Sequence, residues 1–166
     1  MTETSNLSYR PCAGIMLLNQ DGFIWLGRRI ANNNDTEQSM YWQMPQGGID
    51  ADETPKAAAI RELEEETGIT HVEIIAEAPD WLTYDLPEDL LGVALKGQYR
   101  GQKQKWFLMR FLGQEDEINI SAKQGHDAEF DAWQWAHPSQ IAELTVPFKQ
   151  HIYNKLLEIF SPHCDN

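Results

Sequence analysis

Gly47-Gly48-Ile49-Asp50-Ala51-Asp52-Glu53-Thr54-Pro55-Lys56-Ala57-Ala58-Ala59-Ile60-Arg61-Glu62-Leu63-Glu64-Glu65-Glu66-Thr67-Gly68-Ile69 is the stretch around which this 166-residue chain is organised. Its second half predicts a short helix with marked ends. Thr54 caps it, Pro55 suits the first helical position, and Gly68 suits the left-handed residue just past the end. At 100° per residue, Glu62, Glu65 and Glu66 share one face, and Ile60, Leu63 and Thr67 form a neighbouring face available for burial. Carboxylates about 5 Å apart repel by roughly 3 kcal/mol per pair at an effective dielectric near 20. A divalent cation removes that cost, and hard oxygen ligands of this kind suit Mg²⁺ or Mn²⁺. The Gly47 carbonyl is a further candidate ligand, because glycine lets the backbone approach closely. The bland alternative is an acidic helix face turned to water.

What precedes the glutamates decides between the two readings. Gly47, five residues, Glu53, seven residues, Arg61-Glu62, Leu63, one free residue, Glu65-Glu66, one free residue, Gly68 and Ile69 fill every fixed position of a 23-residue pattern. That pattern is the signature box of the Nudix hydrolases, and the chain is identified as resembling them. Arg61 lies one turn before Glu65, so it reads as an ion pair that orients a carboxylate.

Length and composition fit one domain over residues 1–166 with a core that needs no staples. Acidic residues number 26 against 13 basic, a net charge of −13, which argues against a broad surface for long nucleic acid but not against gripping a polyphosphate end. The basic residues are uneven. Lys96, Arg100, Lys103, Lys105 and Arg110 form one acid-free island and Arg28-Arg29 another. Cys12 and Cys164 lack partners at metal-ligand spacing and read as free thiols. Residues 1–8 are polar and no apolar run is long enough to span a bilayer, so a cytoplasmic protein without membrane partners is expected. His71, His126, His137, His151 and His163 are scattered and are given no catalytic work.

Outside the box, residues 13–19 and 23–29 predict two antiparallel strands joined at Asp21-Gly22, with Pro11 limiting the start of the first. Residues 31–40 read as an exposed loop, and residues 42–44 as a short strand. Further strands are expected at 72–78, 81–84, 106–112, 118–120 and 130–135, the last placing Trp133 and Trp135 on one face. A long loop is expected at 86–101, and helices at 138–143 and 147–160, the latter with an apolar stripe of Ile152, Leu156, Leu157 and Phe160. A mixed sheet with helices on both sides predicts an α/β/α sandwich, the Nudix fold.

Resemblance narrows further along the chain. Tyr9-Arg10-Pro11, Arg28-Arg29, Trp42-Gln43-Met44-Pro45-Gln46-Gly47-Gly48-Ile49, Gly101-Gln102-Lys103-Gln104-Lys105-Trp106-Phe107, Glu117-Ile118-Asn119-Ile120 and Glu129-Phe130-Asp131 resemble the bacterial RNA 5′-pyrophosphohydrolases. They are equally similar to the asymmetric diadenosine tetraphosphate hydrolases. The resemblance implies that Gly47, Glu62, Glu65, Glu66 and Glu129 hold two or three Mg²⁺ ions, or another divalent metal such as Mn²⁺. It implies phosphate contacts from Arg10, Arg28, Arg29, Lys103 and Lys105, and a base stacked on Phe148 with Arg29 on its other side. Tyr84 is a further substrate-binding candidate and, like Trp81, has an alternative reading as packing. Glu129 has an alternative as a surface acid, and Phe148 as a core residue. Glu62 is assigned as general base, with Glu129 as its rival.

The implied reactions are removal of pyrophosphate from 5′-triphosphorylated RNA and cleavage of dinucleoside polyphosphates to, for example, ATP plus AMP. No obligate protein partner is inferred. Tyr84-Asp85-Leu86-Pro87-Glu88-Asp89-Leu90 places acids where the enterobacterial RNA enzymes carry bases, which favours the dinucleotide substrate. Alternatives are a nucleotide-pool sanitising or nucleotide-sugar hydrolase, and a non-catalytic nucleotide-binding module. The segments around Trp42 and Trp106 argue against the hydrolase alternatives, and the complete set of box glutamates argues against the module.

Overall fold

The structure is a computed structural model that describes residues 7–30, 41–88, 91, 98–121 and 127–164. The expected loop at 31–40, His126, and Asp89 and Lys96 lie outside the described residues. The strands are β1 (Ser8–Leu18), β2 (Ile24–Arg29), β3 (Trp42–Gln43), β4 (Gln46–Gly48), β5 (Val72–Glu77), β6 (Leu82–Asp85), β7 (Tyr99–Phe111) and β8 (Phe130–Ala136). The helices are α1 (Pro55–Thr67), α2 (Ile141–Leu144) and α3 (Gln150–Cys164). One mixed sheet runs β3-β2-β1-β7-β5, with β4 on β1, β6 on β7 and β8 on β2.

The Asp21-Gly22 turn forms as the sequence predicts. Gly22 has φ +81°, its N–H donates to Asn19 O at 3.1 Å, and Asn19 Oδ1 accepts from the Asp21 and Phe23 N–H groups. The hairpin then splays. β1 and β2 are in register at Leu18↔Ile24, after which β1 runs parallel to β7 along its whole length and β2 pairs antiparallel with β8. β1 is buried on both faces from Cys12 onward, which suits the central position of a sheet covered on both sides.

Two expected strand starts are corrected. β1 begins at Ser8 and runs through Pro11, because that residue's contribution to the sheet is its carbonyl, which accepts the Ile49 N–H at 3.0 Å. β7 begins at Tyr99 rather than at 106, because Gln102 and Gln104 turn into the interior and hydrogen-bond there. Residues 118–120 are not a strand. A 3₁₀ turn at Glu115–Glu117 precedes them, and the Asn119 N–H donates to Thr67 O at 2.7 Å, satisfying a carbonyl at the end of α1.

α1 has the predicted limits. Thr54 Oγ1 accepts from the Ala57 N–H, Pro55 opens the helix, and Gly68 sits at φ +74° with its N–H on Glu64 O. Its buried face is rotated from the expected one. Ala58, Ala59, Leu63, Glu66 and Thr67 are buried, while Ile60 is 42% exposed. Small alanines let the helix lie close on β1, and that roll carries Glu66 inward and Ile60 outward.

Apolar side chains fill both faces of the sheet. Ile15, Leu17, Phe107 and Met109 pack with Ala59 and Leu63 of α1, and Met16, Trp106 and Leu108 pack with Ile152, Tyr153, Leu156 and Phe160 of α3. The result is the expected α/β/α arrangement. Trp133 and Trp135 sit together, ring centroids 6.2 Å apart, against the α1-side core. No helix among the described residues is long and apolar enough to cross a membrane.

Candidate active site

β4 and α1 build the centre of the site. Pairing of Gly14, Ala13 and Cys12 with Gln46, Gly47 and Gly48 fixes β4 against the middle of β1. A Cβ at Gly47 would collide with the Glu62 carboxylate, and one at Gly48 would lie 2.5 Å from Arg10 Nη2. The two glycines therefore admit a carboxylate on one side of the strand and a guanidinium on the other. Gly47→Ala is expected to push Glu62 aside and weaken divalent-metal affinity by about tenfold. Isothermal titration with Mn²⁺ measures this, and unchanged affinity would show that Glu62 need not sit against Gly47.

Arg61 organises the acids. Its Nε and Nη2 donate to the two Glu53 oxygens at 2.6 and 2.8 Å. Its Nη1 donates to Glu62 at 2.8 Å and Glu65 at 3.1 Å, and Nη2 also reaches Gly48 O at 2.9 Å. The expected pair with Glu65 is present, within a wider hub. The fork holds the Glu53 carboxyl down at about 2.

Glu66 is the buried member, 8% exposed. Burial, then the nearby charges of Glu129 and Glu62, hold its carboxyl well above the usual range, and its hydrogen bond with Glu62 acts in the same direction. Glu62 is raised chiefly by burial and is lowered by Arg61 and by the Glu66 bond. The Gln46 N–H donates to Glu66 Oε1 at 3.3 Å. Glu129, just before β8, lies 3.9 Å from Arg29 Nε.

Glu62 and Glu129 thus lie near Glu66, with Glu62 also against Gly47, and Glu65 is tied to them through Arg61. Among the described residues, no three acidic or histidine side chains already form a closed metal cage. Arg61 supplies positive charge among these acids. The donor set fits a hard divalent cation: all oxygens, in carboxylate excess, with Glu66 buried beside Glu62 and Glu129.

A cleft of about 560 Å³ opens beside this cluster, lined by Arg10, Gly48, Asp50, Glu62 and Tyr99 among others. Arg10 and Tyr84 flank Gln102 across β1, β7 and β6. Tyr84 is buried, its hydroxyl pKa pushed up by burial, and Phe148 is half-buried against it at 5.6 Å. Lys149 Nζ lies 5.4 Å from the Tyr84 ring centre and 5.9 Å from that of Phe148. Lys149 is 8% exposed, and its ammonium is lowered to about 8 by burial and then by Arg29. Arg29 also acts on Tyr84, so Arg29, Tyr84, Phe148 and Lys149 form one neighbourhood beside Glu129.

Other basic candidates are engaged elsewhere. Arg28 Nε donates to Asp131 at 2.8 Å and its guanidinium lies over Trp42. Lys103 lies over the Trp81 ring at 5.3 Å. Lys105 is bound to Glu77 at 3.4 Å and to Pro79 O at 3.2 Å. The structure does not bring these three into the Arg10–Tyr84 row.

The sequence reading missed Lys149, Gln46, Gln102 and Gln104. The available signal was the period-two placement of Gln102, Gln104 and Trp106 on β7, where polar side chains alternate into an apolar interior.

Residues 8–156 match the family described as the NUDIX domain. The chain is 53% identical over 161 residues to the RNA pyrophosphohydrolase of Agrobacterium fabrum, covering 95% of each chain. It is 51% identical over 163 residues to the RNA pyrophosphohydrolase of Brucella abortus, covering 96% of this chain and 92% of that one. In fold it is similar to the Escherichia coli dihydroneopterin triphosphate pyrophosphohydrolase (TM-score 0.66, 18% identity, covering 93% and 99%). It is similar also to a Caenorhabditis elegans Ap4A hydrolase (TM-score 0.63, 19% identity, covering 92% and 98%). Complete box, site geometry and these likenesses agree: the chain belongs to the Nudix family of hydrolases, which use divalent metals.

Proposed function

We propose that this protein is a Mg²⁺-dependent pyrophosphohydrolase that releases pyrophosphate from the 5′-triphosphate end of RNA and leaves a 5′-monophosphate. The observation that carries this reading is the wall of Phe148, Tyr84 and Lys149 next to the gathered glutamates. An aromatic face and a cation beside a carboxylate cluster suit a nucleotide whose polyphosphate enters the cluster. Identity above half to two curated RNA pyrophosphohydrolases supports it. A cytoplasmic location belongs to the same reading.

Glu62, Glu65, Glu66, Glu129 and the Gly47 carbonyl would hold the metal. When bound, Mg²⁺ supplies charge neutralisation at the phosphates and a lowered pKa for the attacking water. Arg61 holds Glu62 and Glu65 in place. Glu62, raised by burial, accepts the proton of the water that attacks phosphorus. Arg10 binds phosphate oxygens, and Arg29 with Phe148 brackets a base.

Dinucleoside polyphosphates are the second substrate class, favoured by the acids after Tyr84. Asp85, however, accepts a bond from the Tyr9 hydroxyl and another from Arg100 at 2.9 Å, so its charge is matched and weighs little against RNA. A competition assay with 5′-triphosphorylated RNA and diadenosine tetraphosphate tests the order. Faster pyrophosphate release from RNA is expected, and faster formation of ATP plus AMP would reverse it. Phe148→Ala should raise KM for the RNA about tenfold with kcat little changed. An unaltered KM would return Phe148 to a packing role.

A further inference from the structure

Three glutamines connect the interior of the sheet to the glutamate cluster. Trp106 Nε1 donates to Gln104 Oε1 at 2.9 Å. Gln104 Nε2 donates to Gln102 Oε1 at 2.8 Å and to Gln46 Oε1 at 2.9 Å. The Gln46 backbone N–H then reaches Glu66. Trp106 is fully buried, and Gln104 and Gln102 are 2% and 3% exposed, so the bonds among these three form out of water, where an unmatched polar end is costly, while Gln46 is half-buried.

An amide can present either end, but an indole N–H only donates. Trp106 therefore requires an oxygen from Gln104. Gln104 must then turn its NH₂ to its neighbours and uses both hydrogens. Gln102 and Gln46 must in turn offer oxygens to Gln104, which leaves each with its NH₂ at the far end. Among the described residues neither Nε2 has a protein acceptor. Gln102 lies between Arg10 and Tyr84 in the strand register, and Gln46 adjoins Glu66, so both stand beside the site.

We propose that Trp106 is a positioning residue for the hydrolysis. Its indole N–H sets the direction of the relay, so that Gln102 and Gln46 present amide donors rather than carbonyl oxygens to the oxygens of the substrate's polyphosphate. With the relay reversed, two carbonyl dipoles would face an anion. The inference rests on the polyphosphate-hydrolase reading for its substrate, while the direction of the relay follows from donor chemistry alone.

The test is to replace Trp106 in the full chain by β-(3-benzothienyl)alanine, which keeps the bicyclic ring and puts sulfur in place of N–H. KM for the triphosphorylated RNA should rise about tenfold or more, with kcat within about twofold and Tm within about 2 °C. Gln104→Glu, which still accepts from Trp106 but cannot donate onward, should reproduce the KM rise with the indole intact. Side-chain amide NMR of the ¹⁵N-glutamine protein gives a readout independent of turnover. Inorganic tripolyphosphate should shift the Gln46 and Gln102 NH₂ signals in the unsubstituted protein and not in the isostere. Wild-type KM in the isostere, or amide signals that tripolyphosphate leaves unmoved, overturns the proposal. Shifted signals in a protein that turns over neither RNA nor diadenosine tetraphosphate would uphold the relay and overturn only the substrate assignment.

Discussion

Glu66→Gln is expected to lower turnover by about a thousandfold or more and, at the same time, to raise the melting temperature of the metal-free protein. Both effects have one cause. Glu66 is buried beside Glu62 and Glu129, so its charge is penalised until a cation arrives. Its folded pKa is raised above the unfolded value of about 4.3. The native state therefore binds more protons than the unfolded chain, and the group's stabilising contribution is complete below that value and lost as pH rises through the folded pKa. Metal-free protein should lose stability from about pH 4.3 upward on this account, and Mg²⁺ should restore more of it at pH 8 than at pH 5. Glutamine removes the charge but keeps the shape, giving a gain of about 2–4 °C at pH 8 and a blunted response to Mg²⁺. Glu65→Gln is the control, because Glu65 is more exposed and bound to Arg61. It should lose turnover without gaining stability. Differential scanning at both pH values with and without Mg²⁺, beside a pyrophosphate-release assay, decides the matter. Retained turnover in Glu66→Gln, or a fall in its metal-free melting temperature, would remove Glu66 from the metal site.

Legibility of the sequence followed the range of the interactions. Thr54, Pro55 and Gly68 act on backbone groups a few residues away, and both ends of α1 were readable from them. Which face of α1 is buried was not, because it depends on how closely Ala58 and Ala59 approach β1, and the stripe that includes Ile60 is equally good by periodicity. Residues 118–120 look like a strand locally, yet the Asn119 N–H is claimed by the Thr67 carbonyl. At the site, the box glutamates and Arg61 were legible because they share one helix. Lys149 was not: its place over Tyr84 comes from packing α3 against a strand more than sixty residues earlier. Lys103 and Lys105 show that spacing alone does not tell what a side chain meets in the fold. A cluster of basic residues suggested phosphate, whereas Trp81, Glu77 and Pro79 claim them in the fold.

Arg61→Ala should be nearly as damaging to activity as loss of a glutamate, although Arg61 is assigned no contact with substrate. The guanidinium alone joins Glu53, Glu62, Glu65 and the Gly48 carbonyl, so its removal frees two proposed metal ligands and releases the helix from the loop before it. Loss of outer-shell orientation of this kind costs about a hundredfold in activity, and loss of several charge-assisted bonds should lower Tm by about 5 °C. Arg61→Lys separates the two consequences. A lysine keeps the charge among the acids and so recovers part of the stability, but its ammonium cannot fork to Glu53 while also reaching Glu62 and Glu65, and activity should stay low. The acid limb of stability gives an independent check. Glu53 has its folded pKa depressed to about 2, so its contribution is present above about pH 4.3 and lost as pH falls through 2. Arg61→Ala should flatten that limb, whereas the limb from Glu66, which runs in the opposite direction, should persist. If Arg61→Lys regained full activity, charge among the acids would be all that the site requires, and the orientation of Glu62 and Glu65 by the fork would play no part in the reaction.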